Sequence, residues 1–481
     1  MHIYNSMTRR EEPFVPIRGN RVKMFVCGPT VYDDMHLGHA RTYLAYDIIA
    51  RFLRRAGYSL FYLMNITDVD DKIIQRASEL RRDPLSVARE YERRFSEDLE
   101  SLGITSVNLF ARATEHVEEM IEQISVLIKK GFAYETETGV YYDVTKFPHY
   151  GELSHQDPSE LIKHRVDPDP TKRHVHDFAL WKKRPREEFG WNSPWGYGRP
   201  GWHIEDTAIT VTYFGPTYDI HGGAIELIFP HHEAEIAQAE AFTGERPLVK
   251  YWTHTGLLTV DGEKMSKSLG NFITVREILS RYEPGVIRFY LASSHYRSPI
   301  DFKEENVAQA EQALESLRNA IDNLETIDVT ESVEDSDLKF LEKARAHREE
   351  FMRSMCSDFN TPSAIAALFA FASEINRFLE REGRLNANVK NDALAILHEM
   401  TSILGIKKYR RVTELELTEL YDLIRLLIDV RDALRRERKY ELADEIRGRL
   451  EQMGIELEDT AGGTRWRIAG RPSSKDDDRN L

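Results

Sequence analysis

Residues 21–72 read RVKMFVCGPTVYDDMHLGHARTYLAYDIIARFLRRAGYSLFYLMNITDVDDK, and their pattern decides the fold. RVKMFVCG alternates around β-branched and aromatic residues and stops at Gly28-Pro29, as a strand entering a loop does. From Gly38 the apolar residues Leu44, Ile48 and Phe52 recur at helical spacing until Gly57 ends the run. A second strand, LFYLMNI, ends at Ile66 and meets the polar cluster TDVDDK. Strand, helix and strand with short connections make a βαβ unit, hence a parallel sheet. In such sheets ligands bind beyond the carboxyl ends of the strands, where Cys27 and Thr67 lie.

Outward from this unit the pattern changes. Residues from about Asp143 to Trp202 are rich in Pro, His, Trp and charge and read as an insertion. The α/β character returns with Tyr218 to Ile220, after which His221-Gly222-Gly223 opens a Gly-rich loop and a helix starts near Pro230. After Phe302 the chain is almost wholly helical, with one helix beginning at Asn360-Thr361-Pro362, a capping residue followed by Pro. Leu420, Leu423, Leu427, Val430 and Leu434 recur at spacings of 3 and 4 and predict a buried stripe. IELED and TRWRI around Gly462-Gly463 predict a hairpin, and the tail from 471 to 481 predicts disorder.

Composition bounds the function. At about 150 residues per domain, 481 residues suggest a multidomain chain, and 41% hydrophobic residues suffice for ordinary cores. Two cysteines, Cys27 and Cys356, cannot form a disulfide scaffold of this size, and Cys356 reads as helix core with no partner. No stretch approaches the roughly 18 consecutive apolar residues of a membrane span, and the first residues lack an apolar secretion segment. The expectation is a cytoplasmic protein with no membrane association. Lys and Arg total 65 against 80 Asp and Glu, and the net charge of −15 argues against indiscriminate nucleic-acid binding.

Three constellations carry chemistry. His36-Leu37-Gly38-His39 lies where a helix opens, and a helix N-terminus favours an anion. Two imidazoles there add donors for a phosphate, with ordinary surface histidines as the alternative. Lys264-Met265-Ser266-Lys267-Ser268 places two lysines among small polar residues, a cationic loop suited to a leaving pyrophosphate. The chain has no GxxxxGK[ST] phosphate cradle, which leaves any nucleotide to this pair. Third, His231 and Glu235 are four apart on the predicted helix and share a face, with the Cys27 thiolate at a strand end. Spacing alone leaves a solvated helix face open as the alternative.

HLGH with KMSKS resembles the motif pair of class I aminoacyl-tRNA synthetases. FVCGPTVYD, NITDVDDKII, GRPGWHIE, DIHGG, FPHHEAEIAQ, EKMSKSLGNF, SHYRSPIDF and DFNTPSA narrow the resemblance to the cysteinyl-tRNA synthetase family, from about His2 to Ile468. The resemblance implies an α/β Rossmann-type catalytic domain over 1–302, with an insertion at about 110–200 and a stem-contact segment at about 255–302. An all-helical domain over 303–405 and a small anticodon-binding domain over 406–470 would follow. It implies a cysteine–tRNA ligase, monomeric, acting on L-cysteine, magnesium-bound ATP and tRNA(Cys). His36, His39, Lys264 and Lys267 would be catalytic, with His36, His39, Glu226 and Lys267 on ATP. Cys27, Thr67, Trp202 and His221 would line the amino-acid pocket. The nearest rivals are a ligase joining cysteine to a small amine and a non-catalytic RNA-binding relative.

The resemblance also implies one zinc ion held by Cys27, His231 and Glu235, and here the chain departs from the family. The family's second cysteine follows the WHIE string, where this sequence has Asp206. Carboxylate is a permitted zinc ligand, harder than thiolate, so Asp206 is expected to keep the metal while holding it less tightly. A second departure is HGGAIEL, where the family more often reads HGGGSDL; Glu226 still offers a carboxylate to a ribose hydroxyl. For tRNA the expected positive ground is C-terminal: Lys407, Lys408, Arg410 and Arg411, then Arg435, Arg436, Arg438 and Lys439, then Arg465 and Arg467. Trp466 between the last two would stack an unpaired base, with a core tryptophan as the alternative.

Overall fold

The computed structural model describes residues 1–155, 169–265, 270–406, 414–452, 455–460 and 463–468. Five parallel strands form the central sheet in the order Val249–Thr255, Tyr218–Ala224, Arg21–Val26, Ser59–Ile66, Leu109–Arg112. The order reverses between Arg21–Val26 and Tyr218–Ala224, so the crevice beyond their carboxyl ends is the topological switch point. Both faces of the sheet are covered, which suits strands as uniformly apolar as MFV and YLM. On one face Val22, Met24, Val26 and the Leu37–Arg55 helix join a core that continues into the later helices. On the other face Phe25 and Leu63 join a second core with the Val117–Lys130, Ile204–Phe214 and Glu233–Thr243 helices.

The insertion is a four-stranded antiparallel sheet, Ala133–Glu135, Gly139–Tyr142, Phe178–Lys183 and Gly198–Pro200 in that order. Beyond the central sheet, Leu258–Val260, Glu263–Lys264 and Ile300–Phe302 make a small sheet whose edge carries Lys264. The short Val275–Arg281 and Pro284–Ala292 helices follow. Arg41, buried in the first helix, donates to the carbonyls of Leu291, Ser294, His295 and Ser298 and so satisfies the end of the second of these helices. The Glu304–Thr326, Asp335–Cys356, Thr361–Glu382 and Ala387–Leu404 helices complete this unit. The third of them starts where Asn360-Thr361-Pro362 places it, the Asn360 side chain accepting from the Ser363 N–H at 3.0 Å. Cys356 is free and half-buried at the edge of the core.

The chain divides into two compact units, 1–408 and 409–481. The second consists, among described residues, of the Glu414–Arg436 and Tyr440–Gln452 helices and the antiparallel pair Ile455–Thr460 and Gly463–Ile468. Its core is Ile424, Ile428, Leu450, Ile455 and Leu457, with Leu427, Ile446 and Trp466 packed against it. The buried stripe expected at Leu423 and Val430 is therefore corrected: these side chains are 53% and 42% exposed, and Ile424, Ile428 and Arg431 face inward. A helix carrying apolar residues on adjacent faces leaves its inward side to the partners available, here the hairpin and the following helix. The side chain of Leu420 and the tail 471–481 lie outside the described residues. A second correction concerns His221-Gly222-Gly223, which continue the Tyr218–Ala224 strand, His221 and Gly222 paired on both sides and Gly223 on one, and do not form a loop. No helix among the described residues is long and apolar enough to cross a membrane.

A buried thiol, carboxylate and imidazole cluster at the switch point

Cys27 ends the first strand of the sheet, and its N–H donates to Gly222 across the switch point. Gly28 lets the next strand come close: a Cβ there would lie 1.7 Å from the Asn65 carbonyl oxygen. Asn65 uses the proximity, its Oδ1 accepting from the Gly28 N–H at 2.6 Å and its Nδ2 donating to Asp206 Oδ1 at 2.6 Å. The other Asp206 oxygen lies 3.3 Å from Cys27 Sγ and 3.0 Å from His231 Nε2. His231 Nε2 is in turn 3.1 Å from Glu235 Oε1, which is 4.0 Å from the sulfur. Cys27, Asp206, His231 and Glu235 thus converge, one donor atom each, with all four buried.

The helix carrying His231 and Glu235 begins differently from the expectation at Pro230. Phe229 is extended, residues Ile228–His232 form a wide turn, and regular helix runs from Glu233 to Thr243. On a regular helix His231 and His232 would point about 100° apart. The wide turn instead buries both, and His232 Nε2 lies 3.1 Å from Cys27 Sγ. His221 Nε2 approaches the same sulfur at 3.4 Å, its ring stacked on Trp252 and its Nδ1 2.7 Å from the Tyr218 hydroxyl. His232, Asn65 and Glu205 are absent from the sequence-derived site. Adjacency in FPHHEAE and WHIED was the available signal, but helical periodicity points away from the neighbour of a ligand.

The electrostatics ask for a cation. Glu205 is buried beside Asp206 and accepts from Asn65 and from the Thr67 hydroxyl. Among the described residues no Lys or Arg pairs with Asp206, Glu205 or Glu235. Burial, then the charges of Asp206 and Glu205, push the Glu235 carboxyl well up; burial, then Asp206 and Glu235, do the same to the Cys27 thiol. Glu235 Oε2 has no hydrogen-bond partner. Four donors within 4.8 Å of one another, four of their six separations being 3.0–4.0 Å, suit a tetrahedral divalent ion, whose ligand atoms lie roughly 3.3–3.6 Å apart for bonds of about 2.0–2.3 Å. The residues fit a metal.

Trp202 stacks on His231 with ring centroids 4.3 Å apart and remains 40% exposed, an aromatic face beside the cluster. His36 and His39 stand in the loop and helix that follow the Cys27 strand. His36 caps the helix, its Nδ1 accepting from the His39 N–H at 3.3 Å, so Nε2 carries the ring proton and is a donor. The two rings stack at 3.7 Å. Burial lowers His36 to about 4, with Glu226 opposing, and burial holds His39 well below its ordinary value, so both are neutral donors at pH 7. The stretch that follows the lysines meets them: Leu37 N–H donates to Ile273, Val275 N–H to Met35, and His36 pairs with Thr274. Lys264 contacts Glu226. Lys267 lies outside the described residues, as do Lys407, Lys408, Arg410 and Arg411.

A family model described as tRNA synthetases class I (C) catalytic domain matches residues 13–312, and one described as DALR domain matches 350–408. The chain is 45% identical over 473 residues to the "Cysteine--tRNA ligase" of Thermococcus onnurineus, covering 97% of the chain and 99% of that protein. It is 42% identical over 489 residues to the protein of the same name from Aquifex aeolicus, with 97% and 99% covered. Among solved structures, Mycobacterium tuberculosis methionyl-tRNA synthetase in complex with methionyl-adenylate aligns with a TM-score of 0.59 at 16% identity, covering 81% of this chain and 90% of that one.

Proposed function

The chain belongs to the cysteine–tRNA ligase family of class I aminoacyl-tRNA synthetases, and on that premise we propose how its own residues activate L-cysteine with ATP and pass it to tRNA(Cys). The carboxylate of cysteine attacks the α-phosphate of magnesium-bound ATP and expels pyrophosphate; the terminal ribose hydroxyl of the tRNA then takes the cysteinyl group and releases AMP. No enzyme nucleophile is needed, so catalysis is positioning and stabilisation of phosphate charge. His36 and His39 donate neutral N–H groups to the α- and β-phosphates. Lys264 and Lys267 hold the leaving pyrophosphate, and Glu226 accepts from the ribose after releasing Lys264.

Thr67, Trp202 and His221 shape the amino-acid pocket with Cys27. Cys27, Asp206, His231 and Glu235 hold one zinc ion, which when bound supplies a Lewis acid selective for the substrate thiolate over a hydroxyl. Asp206, a harder donor than the thiolate it replaces, keeps the ion and loosens it. Arg435, Arg438 and the C-terminal unit contact tRNA. The chain works as a monomer in the cytoplasm, a setting its two free cysteines suit.

The observation that carries this reading is the placement of both groups beyond one strand end: the paired histidines and an acidic cluster that no described Lys or Arg neutralises. Amino-acid-dependent pyrophosphate exchange tests it. Cysteine should exceed serine by more than the roughly 10–200-fold that shape alone supplies, chelation should abolish the exchange, and Zn2+ should restore it. A metal-free chain with full activity overturns the metal assignment, and exchange driven by another amino acid overturns the substrate.

A further inference from the structure

We propose that the cluster holds a second cation station, Cys27, His221, His232 and Glu235, overlapping the first and able to take the same ion. The inference rests on the metal reading above and deepens it. One ligand atom from each of these four buried residues also falls within 4.8 Å of the others, so Cys27 and Glu235 are common to two complete donor sets. Around the sulfur, His232 Nε2 at 3.1 Å and His221 Nε2 at 3.4 Å stand as close as Asp206 Oδ2 at 3.3 Å.

The imidazoles are held as ligands are held. A metal-bound histidine donates its remote N–H to an anchoring group, which fixes the tautomer and the ring orientation. His232 Nδ1 lies 2.9 Å from His254 Nε2, and His254 Nδ1 lies 2.7 Å from Ser6 Oγ, a chain that leaves the His232 Nε2 lone pair facing the sulfur. His221 Nδ1 lies 2.7 Å from the Tyr218 hydroxyl and 3.6 Å from Glu235 Oε2, while its Nε2 faces the sulfur. The backbone has made room for this arrangement: a Cβ on Gly223 would meet His232 Cε1 at 2.8 Å. A carboxylate at 206 makes the first station weaker than a thiolate would, whereas imidazole suits zinc well. The two pairs, Asp206 with His231 and His221 with His232, therefore compete for an ion that never leaves Cys27 and Glu235.

The test is a Co2+ titration of the full-length, chelator-treated chain, read by the thiolate-to-cobalt absorption band and by competition with Zn2+. Asp206→Ala should still bind one Co2+ per chain with the thiolate band intact. His232→Ala placed on that background should weaken binding about 10- to 100-fold further, the cost usual for disturbing such a site. In an Asp206→Cys background, where the first station is strong, His232→Ala should leave Co2+ affinity nearly unchanged. Complete loss of Co2+ uptake in Asp206→Ala alone overturns the second station. So does a His232→Ala that is silent in both backgrounds, or equally damaging in both. Should the unsubstituted chain take up no Co2+ at all, the metal reading itself fails, and the two failures are told apart.

Discussion

Asp47 sits in the middle of the Leu37–Arg55 helix, fully buried, and owes its place to charge. Burial alone would raise its pKa, but Arg288 and Arg51, with the Ser106 hydroxyl, outweigh that and hold the carboxyl below its ordinary value. Arg288 also donates to the carbonyls of Leu102, Gly103 and Leu404, so one guanidinium ties three segments together. Asp47→Asn leaves that guanidinium buried and short of a charge, and should cost about 3–5 kcal/mol in urea unfolding. The pH sign follows: a depressed carboxyl stabilises above its unfolded value of about 3.9 and loses that contribution as pH falls through the lower folded value. The variant should therefore show a shallower loss of stability below about pH 4 than the parent. Parallel acid limbs would refute the pairing. Nothing in the local string TYLAYDIIARF announces the partner, which lies 241 positions away.

At the scale of elements, the Glu414–Arg436 helix shows where periodicity misleads. Its apolar residues allow more than one inward face, and the hairpin selects Ile424 and Ile428 over Leu423 and Val430. Ile424→Ala should lower stability of this unit by about 2–5 kcal/mol, whereas Leu423→Ala should change it by less than about 0.5 kcal/mol. Equal costs in thermal unfolding would return the helix to the other face. The turn at Ile228–His232 is the opposite lesson. FPHHEAE announces a helix, but regular helix begins at Glu233, and a regular helix from Pro230 would not turn both histidines into the cluster, His231 on Asp206 and His232 on the sulfur.

For the whole molecule, a net charge of −15 makes tRNA binding depend on local positive ground. Arg435 and Arg438 lie near the end of one helix and the start of the next, with Arg438 exposed in a turn at φ 60°. Trp466 is half-buried against the small core of its unit, which supports a packing role before a stacking one. Replacing both arginines by alanine should raise KM for tRNA about 10-fold and flatten its log–log salt dependence by about 0.7–0.9 for each phosphate no longer neutralised. Pyrophosphate exchange should not change. A tRNA KM that does not move would take these residues out of the interface.

The βαβ start of the sheet, the switch-point position of Cys27, and the HLGH and KMSKS segments were all legible in the linear chain, as was the convergence of Cys27, Asp206, His231 and Glu235. Each is carried by a local period or by short strings that match a family pattern. Three-dimensional folding alone settled that HGG runs as a strand, that Asn65 ties Gly28 to Asp206, and that His221 and His232 close on the same sulfur. Those contacts join segments far apart in the chain, and neither helical nor strand periodicity reaches across such distances.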